Sequence, residues 1–156
     1  MAGPYATDAD LTALLPSVFT HDVASFTAQL QLASDDVLEA IKTEWWPQAA
    51  AARLGVLRES VDYDPLFPTF DETKLNTAKL KNLTCYLALS RYIFPLLAND
   101  SDVDGDEFTR KMERYTAFYE GEWGRVKLMP LYDWNGDAQF SDIERRLTPH
   151  RTLSRA

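Results

Sequence analysis

Leu80-Lys81-Asn82-Leu83-Thr84-Cys85-Tyr86-Leu87-Ala88-Leu89-Ser90-Arg91-Tyr92-Ile93-Phe94-Pro95-Leu96-Leu97-Ala98 decides the fold. Leu80, Leu83, Leu87 and Phe94 recur at helical spacing and line one stripe, which Tyr86, Leu89, Ile93 and Leu97 widen. A helix this apolar must be covered on most sides, which predicts the centre of a helical bundle. The expected helix runs from Asp71 to Ala98, and Pro95 should kink its last turn.

An acidic stretch at 99–106 leads to a second helix, expected over Asp106–Glu122. Phe108, Met112, Tyr115, Tyr119 and Trp123 fall one turn apart on it and read as core, and Gly121 and Gly124 should end it. Before the central helix, Val56 to Phe70 reads as a linker, because Asp64-Pro65 and Phe67-Pro68 favour extended or turn backbone. Leu66, Phe67 and Phe70 are too apolar for a free loop, so the linker should lie against something. Ser34 followed by Asp35 and Asp36 is a helix-start pattern, with Val37, Leu38, Ile41 and Trp45 on one face. Pro47 should kink or end that helix. Trp45 and Trp46 point to different faces, so one ring is expected to be exposed or buried by a partner subunit. Val23–Leu32 fits a helix face and strand alternation equally. Thr7 caps a short helix, Asp8 to Leu15, stopped by Pro16. The expected fold is mainly α: a small helical bundle over 1–128, then a loop and an extended C-terminal arm over 129–156.

Length and composition agree. The 156 residues suit one domain, and 46 % hydrophobic residues exclude a wholly disordered chain. The net charge of −8 argues against a general nucleic-acid binder. The charge is uneven: all 24 acids lie in residues 1–144, while four of the 16 basic residues lie in the last twelve. An acidic body with a basic tail often marks an interaction arm. The single cysteine, Cys85, offers no intramolecular disulfide and reads as a small apolar residue. The N-terminus lacks the basic and apolar segments of a signal peptide, and no apolar run has the length of a membrane span.

Asp133-Trp134-Asn135-Gly136-Asp137-Ala138-Gln139-Phe140-Ser141-Asp142-Ile143-Glu144 sets oxygen-bearing side chains at positions 1, 3, 5, 7, 9 and 12 of a twelve-residue loop. These are Asp133, Asn135, Asp137, Gln139, Ser141 and Glu144. A hard cation such as Ca²⁺ takes that many oxygens, closed by a bidentate Glu. Ala138 stands where the sharp turn prefers Gly. Two metal-free forms fit the same residues. One is a type I′ hairpin at Asn135-Gly136. The other is a turn in which Asp133, Asn135 and Asp137 accept from their own backbone. A rival loop opens at Asp100-Ser101-Asp102-Val103-Asp104-Gly105 but has Lys111 where the closing carboxylate belongs.

The tail after Glu144 carries Arg145, Arg146, Arg151 and Arg155, with His150 among them and Leu147 and Leu153 as apolar anchors. Such a segment can dock on an acidic neighbour through Arg–carboxylate forks, or can be an ordinary disordered terminus. Enzyme chemistry finds no residues to carry it. His21 and His150 have no metal-ligand spacing, there is no Gly-x-Ser-x-Gly elbow, and the six glycines form no phosphate-cradling loop. The chain is therefore expected not to be an enzyme.

Several stretches resemble the head–tail connector (adaptor or neck) proteins of tailed bacteriophages. They are Tyr5-Ala6-Thr7-Asp8-Ala9-Asp10-Leu11, the run from Ser25-Phe26 through Ala33-Ser34-Asp35-Asp36-Val37 to Trp45-Trp46, and Leu80-Lys81-Asn82-Leu83 onward. Asp133-Trp134-Asn135-Gly136-Asp137 with Glu144-Arg145-Arg146 completes the set. Together they cover most of the chain. The resemblance implies a small helical virion protein, made in the host cytoplasm and placed in the neck. It implies a homo-oligomeric ring, dodecameric, that binds beneath the portal protein, meets a tail-side neck protein and lets DNA pass without specific binding. No membrane is involved. Arg145, Arg146, Leu147, His150, Arg151, Leu153 and Arg155 would be its partner-binding residues. The alternative from the residues themselves is a calcium-binding protein–protein interaction module.

Overall fold

The computed structural model describes residues 3–20, 23–57, 68–100 and 105–140. The chain is mainly helical, as a small helical bundle requires, and has no strands among the described residues. It divides into two compact units, one drawn from 1–38 and 77–124, the other from 39–76 and 125–156.

In the first unit, α1 (Asp8–Leu14) starts at Thr7 as expected. The Asp10 N–H donates to Thr7 Oγ1 at 3.4 Å and the Thr7 N–H donates to Asp10 Oδ2 at 2.9 Å, a reciprocal cap. Asp8 accepts from the Phe26 N–H at 3.0 Å and the Ser25 hydroxyl at 2.6 Å, which fixes the entry to α2 (Thr27–Ala40). The ambiguity over 23–32 resolves to helix from Thr27. Phe26, Leu30, Ala33, Ser34, Val37 and Ile41 are buried while Leu32 is 49 % exposed, a spacing that no strand gives.

Ser34 does not start a helix. It lies inside α2, where its hydroxyl donates to the Leu30 carbonyl at 2.8 Å and accepts from the Tyr5 N–H at 2.9 Å. A serine whose hydroxyl has both partners has no need of a cap position.

α4 (Lys81–Leu87), α5 (Phe94–Asp100), the turn Ala88–Ile93 between them and Leu80 just before carry the predicted apolar stripe. Leu80, Leu83, Leu87, Leu89, Ile93, Phe94 and Leu97 are all buried. The helix is shorter than expected, because residues 71–79 form two 3₁₀ turns, Glu72–Lys74 and Thr77–Lys79. Asp71 Oδ1 accepts from both the N–H and the hydroxyl of Thr73, which holds the first turn tight. Leu75 is committed to a bridge with Tyr132.

Both prolines sit just past a widened turn. A π turn over Ile41–Trp45 joins α2 to α3 (Trp46–Leu57), and another over Ala88–Ile93 joins α4 to α5. The Trp46 N–H reaches the Ile41 carbonyl and the Phe94 N–H reaches that of Leu89. Pro47 and Pro95 come next. Proline removes a donor and presses on the carbonyl one turn back, and the wider turn takes that carbonyl out of its way. The helix therefore continues through Pro47 instead of ending there.

The last helix among the described residues, α6, spans Gly105–Val126 and passes through both glycines expected to end it. Trp123 and Val126 are buried and hold the final turns in place. Phe108 is buried, Tyr115 meets Phe94 at 5.5 Å, and Phe118 meets Tyr86 at 5.6 Å. Lys111, the residue that broke the rival loop, instead pairs with Glu107 at 2.6 Å. A Cβ added at Gly121 meets nothing within 4 Å. Gly121→Ala should therefore stabilise the protein by about 0.5–1 kcal/mol, through lost freedom of the unfolded chain. Urea unfolding of the variant checks this, and a lower midpoint would mean that the position is not plain exposed helix.

Cys85 is buried as expected, and burial pushes its thiol up to about 12. It acts as a core residue, not a nucleophile.

Candidate functional site

The second unit is organised around Trp46. Its ring stacks on Trp134 at 5.1 Å and 12°, meets Phe70 edge-on at 5.2 Å and touches Tyr132 at 4.9 Å. Arg53 lies over Trp134 at 5.0 Å, and Lys42 over Phe70 at 5.7 Å. The expectation that one of Trp45 and Trp46 would be exposed or covered by a partner is wrong. They are 1 % and 6 % exposed. Phe70 and Trp134 arrive from distant parts of the sequence to cover the second ring. The expected packing of the linker is seen at Phe70; Leu66 and Phe67 lie outside the described residues.

Backbone pairing fixes the loop beside this cluster. The Asn76 N–H donates to the Leu131 carbonyl and the Asp133 N–H to the Lys74 carbonyl, each at 2.9 Å. The Asp71 N–H donates to the Tyr132 hydroxyl at 3.1 Å. Tyr132 thus pairs with Leu75, not with the chain after Gly136, and the type I′ hairpin does not form. Asn135 also lacks the positive φ that such a turn needs; Gly136 at 76° and Ala138 at 58° have it instead.

What forms is a ladder of side-chain-to-backbone bonds. Asp133 Oδ1 accepts from the Gly136 N–H at 2.8 Å, and Oδ2 from the Ala138 N–H at 2.9 Å. Asn135 Oδ1 accepts from the Asp137 N–H at 3.2 Å, and Asp137 Oδ1 from the Gln139 N–H at 2.7 Å. Asn135 Nδ2 donates to Asp137 Oδ2 at 3.0 Å. Ala138 accepts the left-handed backbone because the Asp133 carboxylate holds its N–H.

Of the six expected cation ligands, Asp133, Asn135, Asp137 and Gln139 lie in this ladder, and Ser141 and Glu144 lie outside the described residues. So do the arm residues Arg145, Arg146, Leu147, His150, Arg151, Leu153 and Arg155. Among the described residues no three His, Cys, Asp or Glu side chains converge as a metal would require. The four placed residues suit a hard cation in kind, since they offer carboxylate and amide oxygens.

Burial raises the Asp133 carboxyl, but the N–H groups of Ala138, Gly136 and Asp137 and the charge of Lys74 outweigh it and hold it below its ordinary 3.8. A depressed carboxyl stabilises the fold above the unfolded value and loses that stabilisation as pH falls through the folded one. Asp133→Asn should therefore be less stable than the parent at neutral pH, and the gap should narrow as pH falls below the unfolded value of about 3.9 and close once it is below the folded one. Denaturant midpoints at neutral and at low pH measure it. A gap that persists on acidification would mean that the charge of Asp133 is not what holds the loop.

The loop is legible in the sequence, and its seat is not. The aromatic cluster joins residues 46, 70, 132 and 134, and the apolarity of the linker and the second ring of Trp45-Trp46 pointed to it without joining the two. No helix among the described residues is long and apolar enough to cross a membrane. No known protein family, curated protein or solved structure matches the chain.

Proposed function

We propose that this chain is a head–tail connector in the neck of a tailed bacteriophage. In this reading it forms a ring with other copies beneath the portal, meets a tail-side neck protein and lines the channel that DNA passes through. It is a structural virion protein and not an enzyme. The observation that carries the reading is the division of charge. All 24 acids precede residue 145 and the last twelve residues hold four Arg, two Leu and no acid. An acidic helical body repels phosphates, which suits a channel where DNA must slide without sticking. A basic arm with apolar anchors suits a grip on an acidic partner.

Deleting residues 145–156 tests it. The body should keep its far-ultraviolet circular dichroism, and capture on purified portal rings should be abolished. Virions assembled with the truncated protein should accumulate as unjoined heads. A truncated protein that docks with unchanged affinity would sink the gripping arm.

A second reading, a calcium-binding interaction module, rests on the spacing of Asp133, Asn135 and Asp137 in the sequence, since the ladder they form is the metal-free turn. Ser141 and Glu144 would complete the ligand set. Calorimetry with Ca²⁺ separates the two: heat that disappears in Glu144→Gln supports the module, and no heat removes it.

A further inference from the structure

Two exposed helical stripes carry opposite charge, and each has a large apolar side chain. On α2, Ala28, Leu32, Asp35 and Glu39 succeed one another at helical spacing, all exposed, with Leu32 at 49 %. On α6, Arg110, Arg114, Phe118 and Gly121 do the same, with Phe118 at 41 %. Arg114 lies over the Phe118 ring at 5.3 Å, and that ring stands edge-on to Tyr115 at 5.5 Å. The rings beneath hold Phe118 outward as a fixed projection.

The neighbouring charges sharpen the contrast. On the α6 stripe, Glu107 is already paired with Lys111. Glu113 and Glu120 lie on the adjoining row, roughly a quarter turn away around the helix. On α2, Asp36 is engaged by the Tyr92 hydroxyl at 2.5 Å and Arg91 at 3.0 Å, while Asp35 accepts only from the neutral Gln31 amide at 3.0 Å among the described contacts, so Asp35 and Glu39 are the outward carboxylates. The Arg stripe opposed to itself would set like charges together. Opposed to the α2 stripe it sets guanidinium forks against carboxylates, and Phe118 beside Leu32.

We propose that copies of this chain associate head to tail, the Arg110–Arg114–Phe118 stripe of one docking on the Leu32–Asp35–Glu39 stripe of the next. Such a contact joins different patches of identical chains. Made once between each pair of copies, it closes as a ring or runs on as a filament. The pairing stands on the charges and the apolar anchors, while its closure as a ring rests on the connector reading. Gly121 fits this contact, because a bare position beside Phe118 lets a neighbouring helix approach.

Two charge reversals test the pairing by sedimentation of the full chain. One variant carries Asp35→Lys with Glu39→Lys, the other Arg110→Glu with Arg114→Glu, and circular dichroism confirms that both fold. The parent should self-associate with rising concentration, less so at high salt. Each reversal should weaken association about tenfold or more. An equimolar mixture of the two should associate again, because one keeps the basic stripe and the other the acidic one. Association that ignores either reversal, or a mixture that stays apart, overturns the proposal. A parent that remains monomeric at every concentration also overturns it. If that monomer is still captured by portal rings, the connector reading survives the loss.

Discussion

Trp46→Ala should lower the unfolding free energy by about 3–5 kcal/mol, as truncation of a buried aromatic does. The ring is 6 % exposed and is shared by Phe70, Tyr132 and Trp134. Each aromatic pair contributes about 0.5–1.5 kcal/mol beyond the area it buries, and one substitution removes these three and the pair with Trp45 at 6.4 Å. The remaining rings cannot close the gap freely. Tyr132 is tied by its bridge to Leu75 and by its hydroxyl to the Asp71 N–H. A cavity that the surroundings cannot fill is the costly kind. Denaturant unfolding measures the loss, and near-ultraviolet circular dichroism should lose the signal of the stacked pair. Trp134→Ala, at a half-buried position, should cost less. A loss below about 1 kcal/mol for Trp46→Ala would mean that the cluster is a surface cap and not the seat of the second unit.

The parts legible in the sequence were those set by local chemistry. The stripe from Leu80 to Leu97 marked the core, because periodic apolarity is a property of one helix. Thr7 gave the first cap, because a cap needs only neighbours within a turn. Errors arose where a distant residue decides the outcome. Ser34 has the chemistry of a helix start, yet Tyr5 takes its lone pair and Leu30 its proton, so the helix runs through. Trp46 read as a ring in want of a partner subunit, and residues 70, 132 and 134 of the same chain supply the partners. Residues 71–79 have a composition that continues the helix, but pairing with 131–133 draws them out of it.

The glycines of α6 failed as stop signals for a similar reason. The intrinsic cost of each glycine in a helix is about 1 kcal/mol, and burying Trp123 between them and Val126 beyond them returns more. In the loop, the spacing of Asp133, Asn135 and Asp137 was legible, and so was the backbone-bonded turn as one of its forms. The choice between that turn and the hairpin was not, because Leu75 settles it from across the sequence. The cation expectation depends on Ser141 and Glu144, and the arm lies wholly beyond the described residues.

Leu83→Ala should cost about 2–5 kcal/mol, the range for truncating a buried leucine. Leu83 is fully buried on α4, in the same stripe as Leu80 and Leu87. The hydroxyl of the adjacent Thr84 is also buried, without a hydrogen-bond partner among the described residues. Leu96→Ala on α5, 37 % exposed, is the control and should change stability by about 0.5 kcal/mol or less. The comparison isolates burial, since the two substitutions remove the same atoms from neighbouring helices of one unit. Thermal melts at matched pH and salt give the two values. Equal losses would show that the 80–98 stripe is not the organising core, and the reading of the fold from that stripe would fall with it.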